Sequence, residues 1–277
     1  MKKILVTTDL SAGSKAGLRF AIQLVSQSKF ALTFFHSYNF MSPTSRTATK
    51  TKSYEKSAVV KLQQKLDHFV EKVYQELGIL PEHHNCVIKS SVFAQSNILD
   101  YATEYHFDFI CMSTRGAGRL QRLLGTNTAN LINNSEIPVI AVPYTYKSKK
   151  ITSILYASDL ENLDKELEIV ATFAAPIHAE VKLLHFSSFL ETDIDNTNIK
   201  QAMSKSDQLQ IKLDIKIFEP AESLVSHIEA AISRTKPSML VLFTEHHRSL
   251  FEKLFLSSKS AEYAYNPAVP LLVFNKA

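Results

Sequence analysis

Apolar and polar positions divide this chain into short runs and longer periodic segments that alternate from end to end. Runs rich in β-branched or apolar residues at 3–8, 31–37, 85–92, 107–113 and 137–142 predict strands. Between them, residues 14–28, 53–77, 96–105 and 126–134 carry the helical period. The longest of these places Val59, Leu62, Leu66, Phe69, Val73 and Leu77 three or four apart, which predicts one buried face. Near-continuous apolar strands separated by helices predict an α/β fold with a parallel sheet covered on both faces. Residues 39–57 are rich in Ser, Thr and Lys around Pro43, and most of this stretch reads as a mobile loop, either a surface excursion or a lid over a ligand.

The same pattern then starts again. Ile4-Leu5-Val6-Thr7-Thr8-Asp9-Leu10 recurs as Ile154-Leu155-Tyr156-Ala157-Ser158-Asp159-Leu160. Leu32-Thr33-Phe34-Phe35-His36 recurs as Val181-Lys182-Leu183-Leu184-His185, and Ile137-Pro138-Val139-Ile140-Ala141-Val142 as Val269-Pro270-Leu271-Leu272-Val273-Phe274. The offsets are 150, 149 and 132 residues, so the second copy has lost residues in its middle. Its strands are expected near 152–158, 180–186, 211–218, 238–243 and 269–274, with a shortened second helix within 192–208. Two tandem, doubly wound, five-stranded parallel sheets are therefore expected, in domains 1–146 and 151–277. The polar stretch from Tyr144 to Lys150 would join them.

Charge and cysteine usage narrow the partners. Through Ser148 there are 17 Lys/Arg and 10 Asp/Glu, a net of +7; after it there are 14 and 17, a net of −3. A basic first half suits an anionic ligand, and scattered lysines on solvated helix faces explain it equally well. No basic stripe interleaved with aromatics points to nucleic acid, and no apolar run is long enough to cross a membrane. The apolar run after Met1-Lys2-Lys3 is too short for a signal-peptide core, so a cytoplasmic protein is expected. Cys86 and Cys111 lie in apolar, strand-like segments, which predicts two buried reduced thiols rather than a disulfide. The adjacent pairs His83-His84 and His246-His247 lack a third ligand at a suitable spacing and read as surface loop residues. His36 and His185 close the second strand of both copies, and that recurrence predicts a structural hydrogen bond.

In a doubly wound sheet, ligands sit beyond the carboxyl ends of the strands, where the strand order reverses. Asp9 ends the first strand there, as a partner for a ribose hydroxyl or a phosphate-bound magnesium ion, or as an acidic residue stabilising the first helix. After strand four come Met112-Ser113-Thr114-Arg115-Gly116-Ala117-Gly118, and then Gly125-Thr126-Asn127-Thr128 leading into a helix. Glycines let a backbone approach phosphate oxygens, and a helix start presents free N–H groups to an anion. The same residues also describe an ordinary helix after a glycine turn. Neither a P-loop nor a dinucleotide G-x-G-x-x-G fingerprint occurs.

These motifs resemble the universal stress protein family, once per copy over the whole chain. In that family a first strand ends in aspartate, and a later G-x2-G-x9-G-[ST] loop cradles ATP phosphates in the nucleotide-binding branch. The resemblance implies a Rossmann-like fold of the adenine-nucleotide-binding type, with Thr8 and Asp9 at strand one and Ser37 beside the adenine. It also implies Met112, Ser113, Arg115 and Gly116 after strand four, with Gly125, Thr126, Asn127 and Thr128 at the phosphates. This chain departs from the pattern twice. Ser113 replaces the first glycine, and eight residues rather than nine separate Gly116 from Gly125. In the second copy His247 and Ser257 stand where Gly116 and Gly125 stand, and residues 151–277 contain no glycine. ATP, with or without Mg2+, is thus expected in the first domain only.

Single-domain members of the family form dimers, so the tandem is expected to pack as a pseudo-dimer within one chain, with a homodimer of chains also open. The expected role is a stress-response regulatory protein that binds adenine nucleotide without catalysis. A scaffold that binds no nucleotide is the alternative, and a slow ATPase comes third. No nucleophile beside a base, paired acid and base, or phosphate-loop lysine supports an enzyme.

Overall fold

The computed structural model describes residues 1–39, 48–81, 83–114, 126–187, 199, 211–217, 224–244 and 269–275. These form two compact units, one ending at Ser148 and the other beginning at Lys149.

The first unit contains β1 (Lys2–Thr7), α1 (Lys15–Val25), β2 (Phe30–Tyr38), α2 (Ala48–Leu77) and β3 (His84–Ser90). It continues with α3 (Ala94–Glu104), β4 (Phe109–Ser113), α4 (Thr126–Asn134) and β5 (Val139–Val142). Its strands lie in the order β3-β2-β1-β4-β5 and are all parallel. The order reverses between β1 and β4, where Val6 pairs with Cys111. Parallel strands need covered crossovers. Accordingly α1 packs on α2 and α3 packs on α4, and the central strands are buried from Ile4 to Thr7 and from Phe109 to Ser113. The largest fully buried side chains of this core include Phe20, Phe34 and Phe35.

The second unit contains β6 (Ser153–Ala157), α5 (Leu163–Ala174), β7 (Glu180–Ser187), β8 (Ile211–Ile217), α6 (Leu224–Thr235), β9 (Met239–Thr244) and β10 (Leu271–Asn275). Its strands run parallel in the order β8-β7-β6-β9-β10, the same topology as the first. The expected shortened helix within 192–208 falls almost wholly outside the described residues.

Three expectations need correction. Helix α2 begins at Ala48, so residues 48–52 are helical rather than loop, and residues 40–47 of the expected loop lie outside the described residues. No glycine or proline interrupts Ala48 to Ser57, and a helix once nucleated gains a hydrogen bond with each added residue. The Ser/Thr-rich composition was a weaker guide than that continuity. The buried face of α2 is also displaced: Leu66, Val70, Val73 and Tyr74 are buried, while Val59 and Leu62 are only half-buried. Third, Phe107 and Asp108 precede β4 instead of belonging to it. Asp108 extends the β1–β4 pairing below the strand, accepting from the Lys3 N–H through its carboxylate at 2.7 Å and donating its own N–H to Lys3 O at 3.0 Å.

Candidate functional site

The turn after β1 is made by short-range hydrogen bonds. Thr8 N–H donates to Phe35 O at 2.9 Å, which extends the β1–β2 pairing one residue past the strand. Leu10 then takes a left-handed conformation with φ 61°, a cost that side chains other than glycine rarely accept. Two bonds hold it there: Leu10 N–H to Thr8 Oγ1 at 3.0 Å and Ser11 N–H to Asp9 Oδ1 at 3.0 Å. The second is an Asx-type turn, in which the side chain bonds the backbone two residues on. Asp9 is therefore exposed at the strand end and engaged in shaping the turn.

Buried hydroxyls lie beneath this turn. Thr8 Oγ1 and Ser14 Oγ share a 2.7 Å hydrogen bond, and Ser14 precedes the first residue of α1. From the neighbouring strand, Ser113 Oγ donates to Gly13 O at 2.8 Å and straps the turn to the end of β4. Helix α1 can lie this close because position 17 is glycine. A Cβ there would stand 3.1 Å from Ser113 N and 3.2 Å from Met112 C. Cys111 Sγ also reaches Gly17 O at 3.5 Å. The ends of β1 and β4 thus bring polar groups of Thr8, Asp9, Gly13, Ser14 and Ser113 together at the crevice position where the strand order reverses.

The remaining expected site residues divide between two places and a segment outside the description. Met112 is buried at the end of β4. Ser37 is half-buried near the end of β2, where its Oγ accepts from Asn97 Nδ2 at 2.8 Å; the same amide also donates to Lys89 O at 3.2 Å. Thr128 is buried on α4, the helix that Thr126 and Asn127 open. The side chains of Thr126 and Asn127, and all of Arg115, Gly116 and Gly125, lie outside the described residues. So do His246, His247 and Ser257. Sequence reasoning missed Ser14, Gly13, Asn97 and Gly17. Of these only Gly17 carried a signal, because a glycine inside a helical pattern marks a close backbone approach.

The second unit repeats the turn and fills what lies beneath it. Leu160 has φ 70°, its N–H donates to Ser158 Oγ at 3.0 Å, and Glu161 N–H donates to Asp159 Oδ1 at 3.1 Å. His36 and His185 likewise match: each Nδ1 donates to the carbonyl of the residue before the aspartate, Thr8 at 2.8 Å and Ser158 at 2.9 Å. A carbonyl only accepts, so the proton sits on Nδ1 in both rings. Beneath the second turn, however, the Tyr156 hydroxyl donates to the Glu166 carboxylate and lies 2.9 Å from Ser158 Oγ. Tyr156 is fully buried and Glu166 nearly so. Burial first, then the Glu166 charge, raises the tyrosine pKa far above its ordinary value, so this phenol stays neutral.

Other candidates take structural roles. His84 stacks on Tyr74 with ring centroids 5.2 Å apart and meets the edge of Phe34 at 5.4 Å. Both cysteines are free; Cys111 is buried, whereas Cys86 is only half-buried. Among the described residues no cluster of three His, Cys, Asp or Glu side chains suits a metal ion, and no helix is long and apolar enough to cross a membrane.

No curated protein sequence matches the chain. A universal stress protein from Archaeoglobus fulgidus DSM 4304 superposes with a TM-score of 0.68 at 17% identity, covering 99% of this chain and 98% of its own. A functionally unknown protein from Pseudomonas aeruginosa PAO1 superposes with a TM-score of 0.55 at 16% identity, covering 99% and 92%. At these identities the likeness concerns the fold. The model of the universal stress protein family matches residues 1–143, just over half of the sequence, and the chain therefore belongs to that family.

Proposed function

We propose that the first unit binds an adenine nucleotide, ATP with or without Mg2+, and that the protein is a non-catalytic, cytoplasmic regulator in a stress response. The observation that carries this reading is the crevice between β1 and β4. There the strand order reverses, and Gly17 brings α1 against Met112 and Ser113. Ligands of doubly wound sheets collect at that position. Small polar groups at both strand ends leave it suited to ribose hydroxyls and phosphate oxygens. Arg115, Gly116, Gly125, Thr126, Asn127 and Thr128 would take the polyphosphate, and Asp9 a ribose hydroxyl or a metal-bound phosphate. Magnesium, when bound, would neutralise phosphate charge beside Asp9.

The second unit would act as an intramolecular partner and hold no nucleotide. Tyr156 and Glu166 occupy the ground beneath its turn, and a buried acidic side chain there is a poor neighbour for polyphosphate. In a pseudo-dimer the apolar final strands, Val139 to Val142 and Val269 to Phe274, would be natural pairing surfaces.

Mass spectrometry of small molecules released from protein purified without added nucleotide tests the proposal. About one equivalent of ATP per chain is expected, as one site per chain requires, and Gly125→Val should abolish it. One observation favours the scaffold alternative: the Ser113 hydroxyl, which replaces a family glycine, is turned inward to Gly13. A protein that is empty and fails to bind added ATP with magnesium would put the scaffold first.

A further inference from the structure

At the rim of the first unit, the packing leaves one apolar pair unused. Val92 and Phe93 follow β3, and each is 72% exposed. Phe93 is also the N-cap residue of α3, with an extended backbone and no side-chain cap bond. Serine, threonine, aspartate or asparagine at this position would satisfy a free helix N–H. An exposed phenylalanine neither does that nor removes its ring from water, so stability does not account for it.

The turn that presents the ring is nonetheless well fixed. Ser91 N–H donates to Tyr38 O at 2.9 Å, Phe93 N–H to Ser91 Oγ at 3.1 Å, and Asn97 N–H to Phe93 O at 3.2 Å. Asn97 then donates through its side chain to Ser37 Oγ at 2.8 Å. Ser37 pairs in register with Lys89, four residues before Phe93, so the β3–α3 turn leaves the sheet from the strand next to Ser37. An exposed aromatic on a hydrogen-bonded turn is therefore tied, through Asn97, to the residue that the nucleotide reading sets next to the base.

We infer that Phe93, flanked by Val92, is the stacking surface for the purine base of the bound nucleotide. The β3–α3 turn then supplies the preference for a base-bearing ligand over bare polyphosphate. This rests on the nucleotide reading above. Base–aromatic stacking uses the π-face common to every base, so it would favour purine nucleotides broadly over inorganic chains.

Titration calorimetry of the full chain with ATP and with inorganic tripolyphosphate, both with magnesium, tests it in the wild type, Phe93→Ser and Phe93→Tyr. Phe93→Ser should weaken ATP by about tenfold or more, the loss expected for one stacked base. Tripolyphosphate affinity should be unchanged in both variants, and Phe93→Tyr should keep ATP binding near wild type. Serine is a better N-cap, so the melting temperature of Phe93→Ser should not fall and lost folding cannot mimic the result. Unchanged ATP affinity in Phe93→Ser overturns the inference, as does an equal loss for both ligands. An unchanged affinity with a smaller assembly in light scattering would assign the pair to contact between copies instead. A wild-type protein that binds neither ligand removes the nucleotide reading itself, and the stacking surface with it.

Discussion

Replacing Gly17 with valine tests the closest approach in the first unit. A Cβ at this position meets Ser113 N at 3.1 Å and Met112 C at 3.2 Å. Favourable carbon contacts begin near ~3.5 Å, so even one methyl group intrudes on two backbone atoms. Those atoms cannot retreat, because they belong to a fully buried strand that is paired with β1 on one side and β5 on the other. Helix α1 has to lift instead, and the Ser113–Gly13 and Thr8–Ser14 hydrogen bonds at its start go with it. Overpacking of this kind costs about 1–3 kcal/mol, and valine, with two methyls more than alanine, belongs in the upper part of that range. Against it, leaving glycine in a helix interior gains only about 0.3 kcal/mol for valine and about 1 kcal/mol for alanine. The expected net loss is about 2 kcal/mol for Gly17→Val. Gly17→Ala should come out between neutral and a loss of about 1.5 kcal/mol. Urea unfolding followed by circular dichroism and tyrosine emission reads the difference; the chain has ten tyrosines and no tryptophan. With a slope of about 2 kcal/mol/M, the midpoint of the affected transition should fall by about 1 M in the valine variant. If both variants instead rise by the helix-propensity increment, α1 is not in contact with β4 and the account of the crevice is wrong.

Burial, reinforced by the Asp67 carboxylate, pushes the Cys86 thiol up to about 12, and burial raises Cys111 as well. Iodoacetamide at pH 8 should leave both unlabelled in native protein and label both in urea; native labelling of Cys86 at the unfolded rate would contradict this. The sign of the pH effect follows. An unfolded Cys86 ionises near 9.0 and the folded one near 12, so the unfolded chain loses its proton first and the Cys86 contribution is lost as pH climbs from about 9 to about 12. Tyr156→Phe removes a donor from the buried Glu166 carboxylate and should cost about 1–3 kcal/mol in thermal or urea unfolding. A neutral result would mean that the two side chains do not share a bond. Phe93→Ser should raise stability by about 0.5–2 kcal/mol, read from the same unfolding curves, and a fall would mean that the ring is packed.

Features that depend on local order could be read from the sequence, and features made by chain topology could not. The strand ends at Asp9 and Asp159 are legible because the same seven-residue run occurs twice, and the paired His36 and His185 bonds follow from that recurrence. Leu10 and Leu160 in left-handed conformation are invisible, since leucine gives no hint of positive φ. The Ser37–Asn97 and Ser113–Gly13 bonds join residues 60 and 100 positions apart, and no local pattern announces such partners. At Ala48 to Lys52 the composition suggests a loop, but helix continuity decides the outcome.

The two copies together separate what the fold needs from what a ligand would need. Both keep the strand-end aspartate, the leucine at positive φ, the hydroxyl that braces it and the histidine bond beneath. These persist in a copy that has no glycine at all, so they belong to the turn and cannot by themselves argue for nucleotide. The informative positions are those that differ. At a constant offset of 150 residues, Val6, Ala16 and Gly17 in the first copy become Tyr156, Glu166 and Leu167 in the second. All six are buried. The exchange adds a phenol, a carboxyl and an isobutyl group beneath one turn, while the other keeps its helix close to β4 through a bare Cα. A phosphate-binding crevice needs close backbone approach and tolerates no buried acid, and only the first copy meets both conditions. The asymmetry therefore weighs against a protein that has lost nucleotide binding altogether.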